Sequence, residues 1–489
     1  DSCLVGSEMC IRDRLTDLYQ LTMSYAYWKE GISEKEAVFN LFFRENPFGS
    51  GYTICCGLNY VIDFLSNYKF SADDISFLKT IPSPAGTSMF DEEFLDYLTN
   101  LEFCCNLDAI PEGRVVFPQE PLIRVQGPII QCQLIESALL NMLNYQSLVA
   151  TKASRVCVAA GGEEVVEFGM RRAQGIDGAL SASRAAYIGG CSATSNVMAS
   201  KLFGIPVTGT HAHSWVMTFD NEIDAFSTYA RALPDNCIFL IDTYDTIKGA
   251  YHAVQIGEKL REQGKALIGV RIDSGDLAYF SQKVREILDR HDFKETIIIA
   301  SNNMDEHIVS SLKAQQAPID VWGIGTKLVT AFDQPALGGV YKLSALKNGS
   351  TWEHKLKLSE QAAKVNNPGI QQVRRFNSNG IYAGDMIYDI NSEIGSDHQM
   401  IDPIDHTRRK TMSSRKSKFE DLLVPVYRAG QLVYDAPDIH SIRQFVQEEL
   451  SCLDKSIKRF VNPHIYSVGL EKGLFDSKTQ HILKLRNLI

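Results

Sequence analysis

Between residues 165 and 340 the chain keeps one rhythm: a short apolar, β-rich run, then a helical stretch, then another run. The runs begin near Val165, Pro206, Cys237, Leu267, Thr296, Asp320 and Val340. Between most of them lie segments of helical pattern, such as DTIKGAYHAVQIGEKLREQG at 245–264 and DLAYFSQKVREILDRHD at 276–292. Antiparallel neighbours need only a tight turn, whereas a helix between strands is the crossover that a parallel sheet requires. Seven or so repeats of this unit predict an α/β barrel of the TIM-like kind rather than an open sheet.

Each run ends in a small or polar residue, as in EFG-M, VTG-T, LID-T, RID-S, IAS-N and GIG-T. A barrel carries its chemistry in the loops at the C-terminal ends of its strands, so these endings are the first functional signal. Gly323, Gly325 and Thr326 end one run (WGIGTKLVT, 322–330). Backbone N–H groups without a Cβ in the way suit a phosphate, although G-x-G-T loops also serve as plain turns. Arg271 and Asp273 sit two apart in GVRIDSGDL, so an extended backbone points both to one side. Arg271 can hold a carboxylate or phosphate through paired hydrogen bonds, and Asp273 can hold ribose hydroxyls or a hydrated Mg²⁺. The alternative is a buried Arg–Asp pair that closes the barrel. Asp242 in LIDTYDT reads as an inward-facing acid and Asp245 as the cap of the next helix. In EFGMRRAQG, Arg171 and Arg172 are adjacent and point apart, so at most one faces a given site.

The stretch VTGTHAHSW at 207–215 places His211 and His213 one residue apart, after Thr210. An H-x-H pair at a strand end also describes a metal-dependent hydrolase, which needs further His ligands and an Asp at later strand ends. No other histidine falls at a predicted strand end; His252, His291 and His307 lie in helical stretches. A nucleophilic or acid–base histidine is the other reading.

Outside the repeats the pattern changes. LTDLYQLTMSYAYWKEG at 15–31 reads as a helix that Thr16 or Asp17 caps, AVFNLFFRE at 37–45 as a strand, and 52–104 as interrupted helix. Short strands follow at 114–118 and 121–127, then a long apolar helix at 130–156. Residues 349–420 read as polar and strand-poor, and 435–460 and 476–489 as helical. The division expected is an extraneous tail at 1–14, an N-terminal α+β domain at 15–156, the barrel at 157–345, and a C-terminal region at 346–489 packing on the N-terminal domain. The first fourteen residues lack the apolar core of a signal peptide.

A net charge of −10 argues against a general nucleic-acid binder. Apolar runs such as CIFLI at 237–241 are too short to span a bilayer. The eleven cysteines contain no C-x-x-C pair, which leaves them as scattered thiols of a cytoplasmic chain.

Taken together, LTDLYQLTM, FFRENPF, EFGMRRAQG, GGCSATSNVMASKLFGIPVTGTHAHSW, LIDTYDT, GVRIDSGDL, ASNNMDE and WGIGTKLVTAFDQPALGGVYKL resemble the nicotinate phosphoribosyltransferase family. They follow that family's order from residue 15 to about 345, and KVNNPG at 364–369 extends the likeness. The resemblance implies an irregular α/β barrel of the type II phosphoribosyltransferases with an added α+β domain. It implies formation of nicotinate mononucleotide and pyrophosphate from nicotinate and phosphoribosyl pyrophosphate, the first step of NAD biosynthesis from nicotinate. ATP is the implied co-substrate, and Mg²⁺ or Mn²⁺ the implied cofactor, carried by substrate without direct protein ligands. It further implies a homodimer with shared active sites. Residue by residue, Tyr19 matches an aromatic group that stacks on the pyridine ring from across the dimer. Phe168, Arg171, Thr210 and Arg271 match nicotinate-binding positions, and Asn302, Gly323, Gly325 and Thr326 the phosphoribosyl cradle. Asp242 and Asp273 match the ribose and Mg²⁺ neighbourhood, and His213 the histidine that ATP phosphorylates. His211 stands where the family commonly has an apolar residue. The stretch GGCSATSNV at 189–197 offers hydroxyls and no carboxylate, which favours the acid over the amide substrate.

Overall fold

The computed structural model describes residues 15–361, 364–395, 397–413 and 418–489; the expected tail at 1–14 lies outside them. The chain divides into two compact units. One comprises residues up to Ser147 with Ala336–Asp438 and Gln447–Ile489; the other comprises Leu148–Pro335 with Ile439–Val446.

The second unit carries the rhythm seen in the sequence. Its sheet pairs, side by side, the strands Ala193–Thr194, Glu164–Glu167, Val321–Ile324, Ile297–Asn302, Gly269–Ile272 and Ile238–Leu240, all parallel. Buried parallel strands read as unbroken apolar runs, and Val165, Val166, Phe239, Leu240, Val270, Ile272, Ile298, Trp322 and Ile324 are accordingly buried. Pairing of Glu164–Glu167, the first strand, with Val321–Ile324, the last, wraps the sheet round on itself, as a barrel requires. An isolated parallel bridge, Thr194 to Val207, adds a seventh stave. Between that stave and Ile238–Leu240 no strand pairing occurs among the described residues, so the barrel is irregular and has a seam.

Two expectations are corrected here. The run at Val340 is no barrel strand: Val340–Asn348 pairs antiparallel with Glu36–Phe42 in the first unit. The barrel instead takes Ala193–Thr194, two residues whose apolar signal is too short to stand out.

Helices return between the staves, and aspartates start them. Asp245, Asp276 and Asp305 are N-caps whose side chains accept hydrogen bonds from the N–H groups of Lys248, Tyr279, and both His307 and Ile308. Helix Thr246–Glu262 buries Ala250, Ala253, Val254, Gly257 and Leu260, a stripe at three- and four-residue spacing.

The first unit holds a seven-stranded sheet built round Glu36–Phe42 and Ile123–Pro128, and a six-stranded sheet built round Gln371–Ser378 and Ile381–Asp389. The second of these corrects the strand-poor reading of 349–420. Phe376, Met386, Tyr388, Met400 and Met412 form its core, while its edge strand Lys418–Asp421 is exposed throughout. The N-terminal helix runs Leu18–Lys29 from an Asp17 cap, and the helix expected at 130–156 is two, Ile129–Leu134 and Glu136–Ala160.

Candidate active site

The strand ends of the second unit converge on a cleft of about 430 Å³. Of the residues singled out from sequence, Phe168, Arg171, Thr210, Arg271, Asp273, Asn302, Gly323, Gly325 and Thr326 line it. Its volume lies within the range of small-molecule sites.

Arg271 is the third residue of the strand Gly269–Ile272, between buried Val270 and Ile272. Its Nη1 donates to the Thr210 hydroxyl, while its buried Nε has no partner. Burial pushes the guanidinium below its ordinary value, and the Arg171 charge adds to this, against the opposite pull of Asp273 and Asp242. No ion pair to Arg271 forms among the described residues. That settles the alternative of a structural Arg–Asp pair: Asp273 accepts instead from the Ser301 hydroxyl at 2.5 Å. A desolvated cation with unused donors in an open cleft has the chemistry to take an anion.

Asp242 is the inward-facing acid that its strand-end position implies; its side chain is 1% exposed. Its Oδ2 accepts from the Asp273 N–H at 2.9 Å and the Ser274 hydroxyl at 2.7 Å, which ties together two neighbouring strand ends. Its Oδ1 is buried and unpartnered, 4.0 Å from His213 Nε2. The other His213 nitrogen, Nδ1, lies 3.1 Å from the Thr243 hydroxyl. His213 thus has an oxygen near each ring nitrogen while remaining partly open to solvent. His213 and Asp242 adjoin the cleft lining through Thr210–Ala212 and Asp273 rather than forming part of it.

His211 also borders the cleft, but its Nε2 is turned into the seam. Its Nε2 accepts the Leu240 N–H at 3.3 Å, and the rings of Phe226, Tyr229 and Phe239 surround it. Burial, with the charges of Arg271 and His213, lowers its pKa to about 4. A neutral imidazole therefore supplies the hydrogen bond that strand pairing omits there. The two histidines have separate tasks, and among the described residues no group of three or more His, Cys, Asp or Glu side chains is placed to hold a metal ion.

Several expectations change. Arg171 and Arg172 both line the cleft, because Met170–Arg172 is a 3₁₀ turn in which successive side chains diverge by only about 120°. Gly323 is a strand residue paired with Val166 and Ser301 rather than part of a loop nest. A Cβ there would meet the Phe168 ring at 2.7 Å, so the missing side chain makes room for that ring. In GGCSATSNV only Ser195 lines the cleft; Thr194 and Ser192 donate to Glu167 and Glu164. Met170, Ser195, Gly209, Ser301 and Asn303 also line the cleft and were not singled out. Their neighbourhood to strand ends was the only signal available. Tyr19 belongs to the other unit, where it is 47% exposed on the N-terminal helix.

Comparison with known proteins follows the same lines. The nicotinate phosphoribosyltransferase (NAPRTase) family model matches residues 164–366, its N-terminal domain model residues 15–144, and its C-terminal domain model residues 370–478. The chain is 43% identical to nicotinate phosphoribosyltransferase of Bacillus subtilis over 479 residues, covering 97% of this chain and 96% of the relative. It is 33% identical to the Homo sapiens protein of the same name, covering 95% of each. The crystal structure of human nicotinic acid phosphoribosyltransferase superposes with a TM-score of 0.83 at 31% identity, over 95% of this chain and 99% of that one. A nicotinate-nucleotide pyrophosphorylase from Pyrococcus furiosus, 21% identical with a TM-score of 0.67 over 90% and 95%, shares the fold.

Proposed function

Because the chain belongs to the nicotinate phosphoribosyltransferase family, we propose that it joins nicotinate to the ribose of phosphoribosyl pyrophosphate, releasing pyrophosphate, with ATP consumed through a phosphohistidine. The observation that carries this reading is Arg271: a desolvated guanidinium without an acidic partner, hydrogen-bonded to Thr210 and close to Arg171. That is a receptor for a small carboxylate. Phe168 lines the same cleft and offers a flat apolar face to a pyridine ring.

Asn302, Gly323, Gly325 and Thr326, which line the same cleft, offer small and polar groups to the phosphoribosyl moiety. Displacement of pyrophosphate leaves a cationic, oxocarbenium-like ribose. Asp273 and Asp242 stabilise that charge, together with the incoming nicotinate anion. The unpartnered Asp242 Oδ1 also suits water bound to a Mg²⁺ that arrives with the pyrophosphate. Such an ion, when bound, neutralises the leaving group's charge.

His213 is the acceptor for the phosphoryl group of ATP. One ring nitrogen attacks the terminal phosphorus, the bond to the ADP oxygen breaks, and ADP departs. The proton stays at the other nitrogen, whose neighbouring oxygen is that of Thr243 for Nδ1 and that of Asp242 for Nε2. Tyr19, exposed on its own unit, would serve the site of a second copy in a homodimer. No described helix is long and apolar enough to cross a membrane, and action in the cytoplasm is part of this proposal.

The test is product formation from phosphoribosyl pyrophosphate and Mg²⁺ with either nicotinate or nicotinamide, each with and without ATP. Nicotinate mononucleotide formed faster with ATP supports the whole reading. Product from nicotinamide alone would overturn the assignment of Arg271 as a carboxylate receptor.

A further inference from the structure

Glu167 is wholly buried at the end of the Glu164–Glu167 strand, directly before the cleft-lining turn Phe168–Arg172. Its carboxylate accepts three hydrogen bonds. Oε1 accepts the Gly169 N–H; Oε2 accepts the Ser183 hydroxyl at 2.9 Å and the Thr194 hydroxyl at 2.6 Å. Its main-chain carbonyl accepts the Ser195 N–H at 2.9 Å. The Thr194 hydroxyl donates because a carboxylate can only accept, and its oxygen in turn accepts the Asn196 N–H at 3.0 Å. Ser183 likewise accepts from Asn196 Nδ2 at 3.2 Å, with its proton shared between Glu167 and the Ala179 carbonyl.

Burying a carboxylate costs several kcal/mol unless every lone pair is used, and an apolar group of similar volume would fill the same space more cheaply. What the carboxylate supplies instead is geometry. It joins the Phe168–Arg172 turn to Thr194, the residue before Ser195, and both segments reach the cleft lining. None of the carboxylate's own hydrogen bonds reaches 240–243, 271–273, 301–302 or 323–326; the neighbouring Phe168 N–H, on the main chain, donates to the Ile324 carbonyl at 2.8 Å whatever residue stands at 167.

We propose that Glu167 is a positioning residue for the nicotinate-binding side chains, holding Phe168, Arg171 and Ser195 in register through its carboxylate's bonds to Gly169, Ser183 and Thr194. The proposal rests on the phosphoribosyl-transfer reading given above. It makes a prediction whose sign separates position from charge. Glu167→Gln keeps the shape but has one acceptor oxygen where two were used. Removing a negative charge beside an anion site would by itself tighten nicotinate binding, whereas loss of register weakens it.

Steady-state kinetics decide between them. In Glu167→Gln, KM for nicotinate should rise about tenfold, the loss expected from about 1.4 kcal/mol of misplaced contact, while KM for phosphoribosyl pyrophosphate stays within about twofold. Thr194→Val, which removes one hydroxyl at constant volume, should show a smaller rise in the same constant and serves if Glu167→Gln does not fold. An unchanged or lower nicotinate KM in the folded variants overturns the proposal. So does a parallel rise in both KM values, or a loss of kcat alone, since either marks general loosening. A wild-type protein that makes no product from nicotinate would instead overturn the underlying reading, and this one with it.

Discussion

Acidification should loosen the barrel at one residue. His211 sits in the seam, and its Nε2 must stay unprotonated to accept the Leu240 N–H. Its folded pKa is about 4, against an ordinary 6.5. The folded value is the lower one, so between these two values the unfolded chain takes up a proton that the folded chain refuses. Stability from this group is therefore complete above about pH 6.5, falls as pH drops towards 4, and changes no further below that. At pH 5 the loss relative to pH 7.5 is about 2 kcal/mol, from roughly 1.4 kcal/mol per unit over the 1.5 units below 6.5. His211→Phe fits the pocket of Phe226, Tyr229 and Phe239, and strands the Leu240 N–H at a cost of about 1–3 kcal/mol that does not vary with pH. Urea unfolding of both proteins at pH 7.5, 6 and 5 measures the difference between them. It should shrink by about 2 kcal/mol from the highest to the lowest pH. A difference that stays constant across that range would refute the neutral, hydrogen-bonding role of His211.

Other perturbations have separate readouts. Arg271→Ala should raise KM for nicotinate by about 100-fold, the loss of a charged pair of hydrogen bonds, and isothermal titration with nicotinate checks it directly. His213→Ala should abolish ATP stimulation and leave slower transfer; retention of full stimulation would show that another residue takes the phosphoryl group. Gly323→Ala places a methyl group 2.7 Å from the Phe168 ring, so nicotinate affinity should fall while circular dichroism stays native. Glu306→Ala should lower stability by about 3–5 kcal/mol, because Glu306 bonds Lys152 and Arg155 at 2.8 Å each with all three side chains 1% exposed. A thermal midpoint within a degree of wild type would count against that.

The seam that His211 fills also shows where sequence reading reaches its limit in this fold. Strand ends such as Asp242, Asp273 and Asn302 were legible because parallel strands buried on both faces are apolar runs, and polar residues mark where each run meets the cleft. One helix start was legible for the same kind of local reason, since Asp245 satisfies an N–H group three residues on; Asp276 and Asp305 do the same for their helices. What local pattern lacks is the partner of each run. Val340–Asn348 is apolar enough for a barrel stave, yet it pairs with Glu36–Phe42 some 300 residues earlier, a choice set by register and not by its own composition. The strands of 371–421 were hidden for the opposite reason: a sheet with one face in solvent carries polar residues, and Lys418–Asp421 is polar or exposed at every position. The site divides along the same line. Arg271 and Asp273 could be placed together from a spacing of two, but that they do not pair with each other depended on Ser301, twenty-eight residues on, which donates to Asp273, and on Thr210, which takes a hydrogen bond from Arg271. His211 and His213 share a motif and one intervening residue, and only the break in strand pairing before Ile238 turns one inward to hold the barrel and leaves the other, beside Asp242, open to solvent.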